Sequence, residues 1–330
     1  MNLKPNCFEK TKVRWGIFSF FSSTNVETKN VCPIAYNGLC MSSSGLKTMN
    51  FQNMTKDNKE QKLSDNTKPV IAYTPCYKPF FERGDFYNED CNETIAKLND
   101  NSVDLVFTSP PYYNAREYSQ YKDVADYMTQ MEQVFLGIER VLKPSRMCVI
   151  NISPVLVERE KRSEQSYRIP LPFYFVPMME KIGFEFLEDI IWKKPDGAAA
   201  NRNGGFYRHR KPVAYKPNIV TEYVLVFKKK ANFLIDKVLQ NNSLVGDGYE
   251  RTNVWEIQPE TKSWHSAPFP KKLAENIIRY YSYENETVFD CFAGSGTTGK
   301  VAETLNRKWI MSEVNTKIYN EAVERWQNGL

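Results

Sequence analysis

Apolar positions fall into two textures along the chain. Residues 1–68 show neither a period of two nor one of 3.6, whereas from about Phe80 short apolar runs alternate with stretches of helical spacing. Val103-Asp104-Leu105-Val106-Phe107 predicts a buried strand that ends in Thr108-Ser109-Pro110-Pro111. Asp123 to Leu142 predicts a helix, with Tyr127, Met131, Val134, Phe135, Ile138 and Val141 at three- and four-residue spacing. Met147 to Ile152 reads as the next strand, and Pro172 to Ile182 as a helix in spite of Pro177. Phe184 to Trp192 and Thr221 to Phe227 are further strands. Phe269 to Tyr281 predicts a helix that starts after a proline and keeps Leu273, Ile277 and Tyr281 on one face. Strands at Thr287 to Asp290 and Trp309 to Glu313 flank a helix over Thr298 to Leu305. Strands alternating with helices argue for an α/β domain with a mainly parallel sheet.

Composition narrows this without changing it. A chain of 330 residues, 42% hydrophobic and 25% charged, supports one substantial core. No apolar run approaches the roughly 20 residues of a membrane span. Residues 1–68 are rich in Asn, Ser, Thr and Lys and read as a flexible extension, with Trp15 to Phe21 as the one segment suited to docking. That run follows Lys4, Lys10, Lys12 and Arg14, but it is short for a secretory signal and no clean small-residue cleavage site follows. Seven scattered cysteines without a C-x-x-C pair, and only two histidines, disfavour a structural zinc site and suit reduced thiols. Of 44 basic and 39 acidic side chains, ten and five fall in residues 1–68, so the remaining 262 residues carry 34 of each. A nucleic-acid surface on the folded part therefore has to come from local clustering.

The sharpest local signal is Val288-Phe289-Asp290-Cys291-Phe292-Ala293-Gly294-Ser295-Gly296-Thr297-Thr298-Gly299, which leaves a strand and enters a helix. Gly294 and Gly296 allow close backbone approach to a ligand, and the helix N-terminus offers N–H groups to an anion. There is no G-x-x-x-x-G-K-[ST], which disfavours a P-loop. Glu313 ends the following strand, 23 positions after Asp290, where an acid can reach ribose hydroxyls. NAD is one occupant such a loop accepts. Asp290 ahead of the loop suits an ammonium better than a pyrophosphate, and S-adenosylmethionine has an ammonium, a carboxylate and a ribose. A turn used only for strand–helix packing is the plain alternative.

Thr108-Ser109-Pro110-Pro111-Tyr112-Tyr113 stands at the carboxyl end of a predicted strand, where open α/β sheets place ligands. Two prolines fix the backbone and remove two N–H donors, which leaves carbonyls to accept. With the Ser109 hydroxyl and the Tyr112 ring, this set suits a flat base bearing an exocyclic amine. Accepting the amine's hydrogens concentrates its lone pair for attack. On its own, Pro-Pro-Tyr-Tyr is equally a loop or a proline-rich ligand motif.

Taken together, these motifs resemble those of the bacterial amino-methyltransferases of DNA, in the permuted β-group order where the catalytic tetrapeptide precedes the cofactor loop. The likeness runs from about Gly84 to Arg325. It includes Glu89-Asp90-Cys91, Leu98 to Asp104, Val141-Leu142-Lys143-Pro144, Glu222 to Phe227 and Ser263-Trp264-His265-Ser266-Ala267-Pro268-Phe269-Pro270. It implies a Rossmann-like S-adenosylmethionine-dependent methyltransferase fold with a mostly parallel seven-stranded sheet. By the same resemblance Ser109, Pro110, Pro111 and Tyr112 are catalytic. Asp90 and Thr108 lie at the cofactor, His265, Phe269 and Pro270 close its pocket, and Asp290, Phe292, Ala293, Gly294, Ser295, Gly296, Thr297 and Glu313 hold it. Adenine-modifying members usually carry Asp at the position of Ser109, and Ser is typical of N4-cytosine enzymes. No covalent intermediate and no metal are implied, so Cys91, Cys148 and Cys291 need no nucleophilic role.

Lys193 to Lys216 contains seven basic residues (Lys193, Lys194, Arg202, Arg208, Arg210, Lys211, Lys216) against Asp196, with Phe206, Tyr207 and Tyr215 interleaved. This long loop suits phosphate contacts and base stacking, and a solvated charged loop is its bland counterpart. The organisation expected is an extension over 1–68 and a methyltransferase domain over 69–330, with DNA-recognition inserts near 193–218 and 231–262. The partners expected are double-stranded DNA and a cognate restriction endonuclease, with the enzyme a monomer or homodimer and no membrane involved. Its expected place is the bacterial cytoplasm and nucleoid, or the nucleus in a eukaryotic host. An N6-adenine methyltransferase and a non-catalytic DNA-binding relative are the alternatives.

Overall fold

A computed structural model describes residues 81–113, 120–159, 161, 164–198, 210, 212–213, 215–231, 240–241, 244–260 and 268–328. The expected extension over 1–68, with Trp15 to Phe21, lies outside the described residues. Ten strands are described: β1 (Gly84–Tyr87), β2 (Val103–Thr108), β3 (Leu142–Ile152), β4 (Val155–Val157), β5 (Tyr167–Ile169), β6 (Phe184–Lys193), β7 (Thr221–Lys229), β8 (Val254–Glu256), β9 (Thr287–Asp290) and β10 (Lys308–Ser312). The helices are α1 (Cys91–Lys97), α2 (Val124–Val141), α3 (Leu171–Ile182), α4 (Lys271–Tyr281), α5 (Thr297–Thr304) and α6 (Thr316–Gln327).

Eight strands form one sheet in the order β1-β10-β9-β2-β3-β7-β6-β8, and β4 and β5 make a separate pair. Only β7 runs against its neighbours β3 and β6. The mostly parallel sheet agrees with the pattern, but it has eight strands where seven were expected. The eighth is β8, three residues that dock parallel to the edge of β6 from within 231–262, a stretch that reads as irregular in the sequence.

Helices cover both faces. Ile95 of α1, Phe135 of α2 and Phe175 of α3 share one core with Val106, Ile150 and Phe289 of the sheet. Leu273 and Ile277 of α4 and Ala302 of α5 share the other with Leu105, Val149 and Val288. Alternate strand residues thus supply the two faces, which is why these strands read as near-continuous apolar runs. The α2 stripe buries the six residues its spacing predicts, and Asp123 caps the helix by accepting from the Asp126 amide at 2.8 Å.

Parallel strands end at one edge, so Tyr87, Thr108, Ile152, Lys193, Asp290 and Ser312 come out together. Because β7 is antiparallel, it delivers its first residues, Thr221 and Glu222, to that same edge. The chain leaves β2 toward β3 on one side and β9 toward β10 on the other. This puts the point where strand order reverses between β2 and β9, and a crevice opens there.

Candidate active site

A cavity of about 860 Å³ occupies that crevice. One part of its wall is the glycine loop. Gly294 (φ +51°) and Gly296 (φ +75°) hold left-handed backbone that a side chain disfavours, and Gly296 caps α5. The Gly294 amide donates to Glu313 Oε2 at 3.0 Å, and the Asn315 amide donates to Oε1 at 2.8 Å. Burial raises the Glu313 carboxyl above its ordinary range, and those two amides work against the shift. Phe292, Ala293, Gly294, Ser295, Thr297 and Glu313 all line the cavity. Asp90, which caps α1 by accepting from the Asn92 amide at 2.8 Å, and Phe269 line it too.

Four expected cofactor residues are placed differently. Thr108, Pro270, Asp290 and Gly296 are not on the cavity wall, and Asp290 is fully buried. Its Oδ1 accepts from Thr108 Oγ1 at 2.7 Å and from the Phe292 amide at 3.1 Å, and its Oδ2 from Thr298 Oγ1 at 2.6 Å. Burial pushes its carboxyl up to about 6 against the pull of those three donors. In this arrangement Asp290 ties β2, the glycine loop and α5 together from behind. His265 lies outside the described residues.

The tetrapeptide lines the same cavity, with Ser109, Pro110, Pro111 and Tyr112 all on its wall. Ser109 Oγ donates to the Asn151 carbonyl at 3.0 Å and stands within hydrogen-bonding reach of the Tyr112 hydroxyl. Tyr112 Oη donates to Glu222 Oε2 at 2.9 Å, and Asn151 Nδ2 donates to the same oxygen at 2.9 Å. Lys194 Nζ stands 2.5 Å from Glu222 Oε1. Asn151 carries no motif of its own, and Glu222, which opens the Glu222 to Phe227 stretch of the resemblance, has no role assigned by it. Only the sheet register, with Asn151 opposite Val224 and Trp192 opposite Glu222, brings them here.

The basic segment is only partly described, since Arg202, Arg208 and Lys211 lie outside the described residues. Lys193 pairs with Glu256 at 2.9 Å, and Lys194 turns into the cavity toward Glu222. Lys216 donates to the carbonyl and hydroxyl of Ser166 at 3.1 and 2.6 Å. These three are engaged with the protein, whereas Arg210 is exposed. The buried thiols have no nucleophile's environment: burial pushes Cys91 up to about 12 and Cys291 well above its usual range.

The cavity walls join the glycine loop and the Glu313 carboxylate to the tetrapeptide, at the crevice where an α/β sheet places its ligands. A family model described as N6_N4_Mtase, DNA methylase, matches residues 103–324, and the chain belongs to that family. S-adenosylmethionine is the cofactor of the family. The chain is 31% identical over 232 residues to the type II beta methyltransferase M.BslI of Bacillus sp. (strain NEB-606), a match over 66% of this chain and 25% of M.BslI. This chain therefore spans a quarter of that relative's length. TTHA0409 of Thermus thermophilus, solved with S-adenosyl-L-methionine, superposes with a TM-score of 0.61 at 26% identity, over 74% of this chain and 93% of that one. The PvuII cytosine-N4-specific DNA methyltransferase shares the fold, with a TM-score of 0.56 at 24% identity over 75% and 95% of the two chains. Among the described residues no helix is long and apolar enough to cross a membrane.

Proposed function

We propose that this protein transfers a methyl group to the exocyclic N4 of a cytosine flipped out of double-stranded DNA at a defined sequence. The observation that carries the reading is the Ser109 hydroxyl, which lines the cavity, donates to the Asn151 carbonyl at 3.0 Å, stands beside the Tyr112 hydroxyl and has a lone pair to offer an amine. Pro110 and Pro111 have no N–H, so the backbone there can only accept. Tyr112, tied by its hydroxyl to Glu222, presents its ring as a stacking plate. A donor-poor, acceptor-rich corner takes an amine's hydrogens and leaves the lone pair on nitrogen for attack. Serine rather than aspartate at this position favours cytosine over adenine.

The residues present also fit S-adenosylmethionine. The cavity has carboxylates at Asp90 and Glu313, glycine-loop backbone at Gly294, and apolar wall at Met131, Val134 and Ile318. A carboxylate has about four lone-pair positions, so Glu313 can serve the Gly294 and Asn315 amides and still accept from ribose hydroxyls. When bound, the cofactor supplies a methyl group made electrophilic by its sulfonium. The chain's own part is to align the amine, strip it of water and accept its hydrogens, with no thiol taking part. Residues 69–330 form the methyltransferase domain, and the segments near 193–218 and 231–262 meet the DNA. The test is to methylate plasmid DNA with the purified protein, digest to nucleosides and identify the product by mass spectrometry. N4-methylcytosine is expected. N6-methyladenine would overturn the base assignment, and no methylated nucleoside would favour a DNA-binding relative without activity.

A further inference from the structure

Beside Tyr112 of the tetrapeptide the cavity wall holds an ion pair, Lys194 with Glu222, that neither cofactor binding nor amine acceptance uses. Glu222 stands at the start of β7, and Trp192 faces it across the ladder from β6. Two residues past Trp192, Lys194 turns back so that Nζ is 2.5 Å from Glu222 Oε1 and 4.8 Å from the centre of the Trp192 ring. Glu222 Oε2 is held by Tyr112 and Asn151, each at 2.9 Å. The ammonium is therefore no farther from the Tyr112 hydroxyl than two hydrogen bonds and the width of a carboxylate. Both side chains are mostly enclosed, Lys194 at 23% and Glu222 at 14% exposed, and both line the same cavity as Ser109.

An ammonium has three N–H groups. Glu222 takes one and the Trp192 face shelters another side, which leaves a donor for whatever fills the cavity. The two amino bases offer the same amine to Ser109 but differ along the rest of that edge. Cytosine carries the O2 carbonyl, an acceptor, whereas the matching position of adenine is a C–H that accepts nothing. Glu222 alone would repel the lone pairs of either base. Paired with Lys194, it leaves the wall with a charged donor and no net charge.

We infer that Lys194 donates to O2 of the flipped cytosine and is the residue that selects cytosine over adenine, with Glu222 as the positioning residue that aims it. This rests on the cytosine-N4 reading above. The test uses the full-length protein, S-adenosylmethionine and a duplex bearing the methylated site mapped in plasmid DNA. A second duplex carries, at the target, a 2-aminopyridine nucleoside that keeps the amine and ring nitrogen and has hydrogen in place of O2. Lys194→Met should lower kcat/KM on cytosine by about 10- to 100-fold, the worth of a hydrogen bond to a charged donor. On the analogue it should stay within about twofold of wild type, because the contact is already missing there. Lys194→Arg should recover part of the cytosine rate, and S-adenosylmethionine affinity by calorimetry should not move. Should Lys194→Met fail to fold, Lys194→Gln goes through the same two substrates. Equal losses on cytosine and analogue would overturn the assignment and return Lys194 to a packing or phosphate-binding role. A wild-type product of N6-methyladenine would instead sink the base reading itself, so the two failures are told apart.

Discussion

Replacing Asp290 by Asn tests whether this acid is a buried tie or a cofactor ligand. Asp290 is fully buried, and burial lifts its carboxyl from 3.8 to about 6. At about 1.4 kcal/mol per unit, the ionised form costs the folded state about 3 kcal/mol at neutral pH. The sign follows from proton binding. Between pH 3.8 and about 6 the folded chain holds a proton that the unfolded chain has released, so this group lowers stability as pH rises through that window and adds no slope above it. Asparagine keeps an oxygen for Thr108 and the Phe292 amide, and its Nδ2 meets the Thr298 hydroxyl, which can rotate to accept. The stability of Asp290→Asn relative to wild type should therefore rise by about 2 kcal/mol between pH 4 and pH 7, the rest of the shift lying below pH 4. The raised carboxyl of Glu286 is common to both proteins and cancels in the difference, whereas that of Glu313, raised in part by the Asp290 charge, eases in Asp290→Asn and adds to the rise. Asp290→Ala, which leaves three donors without an acceptor, should destabilise at every pH, by about 1–3 kcal/mol per donor. Urea unfolding followed by tryptophan fluorescence across that range measures both. A difference that does not change with pH would refute the buried, titrating carboxylate. Calorimetry with S-adenosylmethionine completes the test. Because Asp290 is off the cavity wall, Asp290→Asn should bind within a few-fold of wild type, and a hundredfold loss in a stable protein would put the carboxylate against the cofactor's ammonium after all.

Ser109→Ala should spare cofactor binding and lower turnover by about 2–4 kcal/mol of transition-state stabilisation, by analogy with the loss of one oxyanion-hole donor; unchanged single-turnover rates would place the acceptor elsewhere. Gly294→Val forces a β-branched side chain into a φ of +51° and toward the ligand, so both the melting temperature and S-adenosylmethionine affinity should fall, and native affinity would remove the loop from the cofactor site. Replacing Arg208, Arg210 and Lys211 together should flatten the plot of log DNA affinity against log salt by about 0.9 per lost phosphate contact. Fluorescence anisotropy at several salt concentrations reads this, and identical slopes would clear the segment and turn attention to 231–262.

What the sequence showed, and what it hid, follows from the range of the interactions involved. Helix α2 was legible to within one residue at each end because one long amphipathic stripe meets one sheet face, and β2 and β9 were legible because doubly covered strands are continuously apolar. The glycine loop and the tetrapeptide were readable as local strings. Short elements were not read: β1 has four residues, α1 seven and β8 three, too few for a period to register. Helix α6 did carry a signal, since Asn315 accepts from the Lys317 and Ile318 amides and Ile318, Ala322 and Trp326 follow at four-residue spacing. Lys194 read as a phosphate ligand because charge counting along the chain cannot see Glu222, 28 positions away, which claims it. Likewise, the sequence places Asp290 ahead of the glycine loop but does not reveal that it is fully buried and bonded to Thr108, Phe292 and Thr298.

The permuted order of the motifs becomes intelligible at the same edge. The tetrapeptide and the glycine loop are some 180 positions apart, yet β2 and β9 are neighbours, with Leu105 beside Val288 and Val106 beside Phe289. The Thr108 hydroxyl then closes the gap onto Asp290 at 2.7 Å. What the site requires is that the two strands be adjacent and parallel, so that both carboxyl ends face one crevice. It does not require that either come first in the chain. The antiparallel β7 extends this logic, because a residue meant for the crevice must there lie at the strand's beginning. Glu222 does so, next to the end of β6, from which Lys194 returns. A parallel strand in that position would have put Glu222 at the opposite edge of the sheet, away from Tyr112 and Asn151. The reversed strand is therefore what lets one carboxylate fix the Tyr112 hydroxyl, the Asn151 amide and the Lys194 ammonium together.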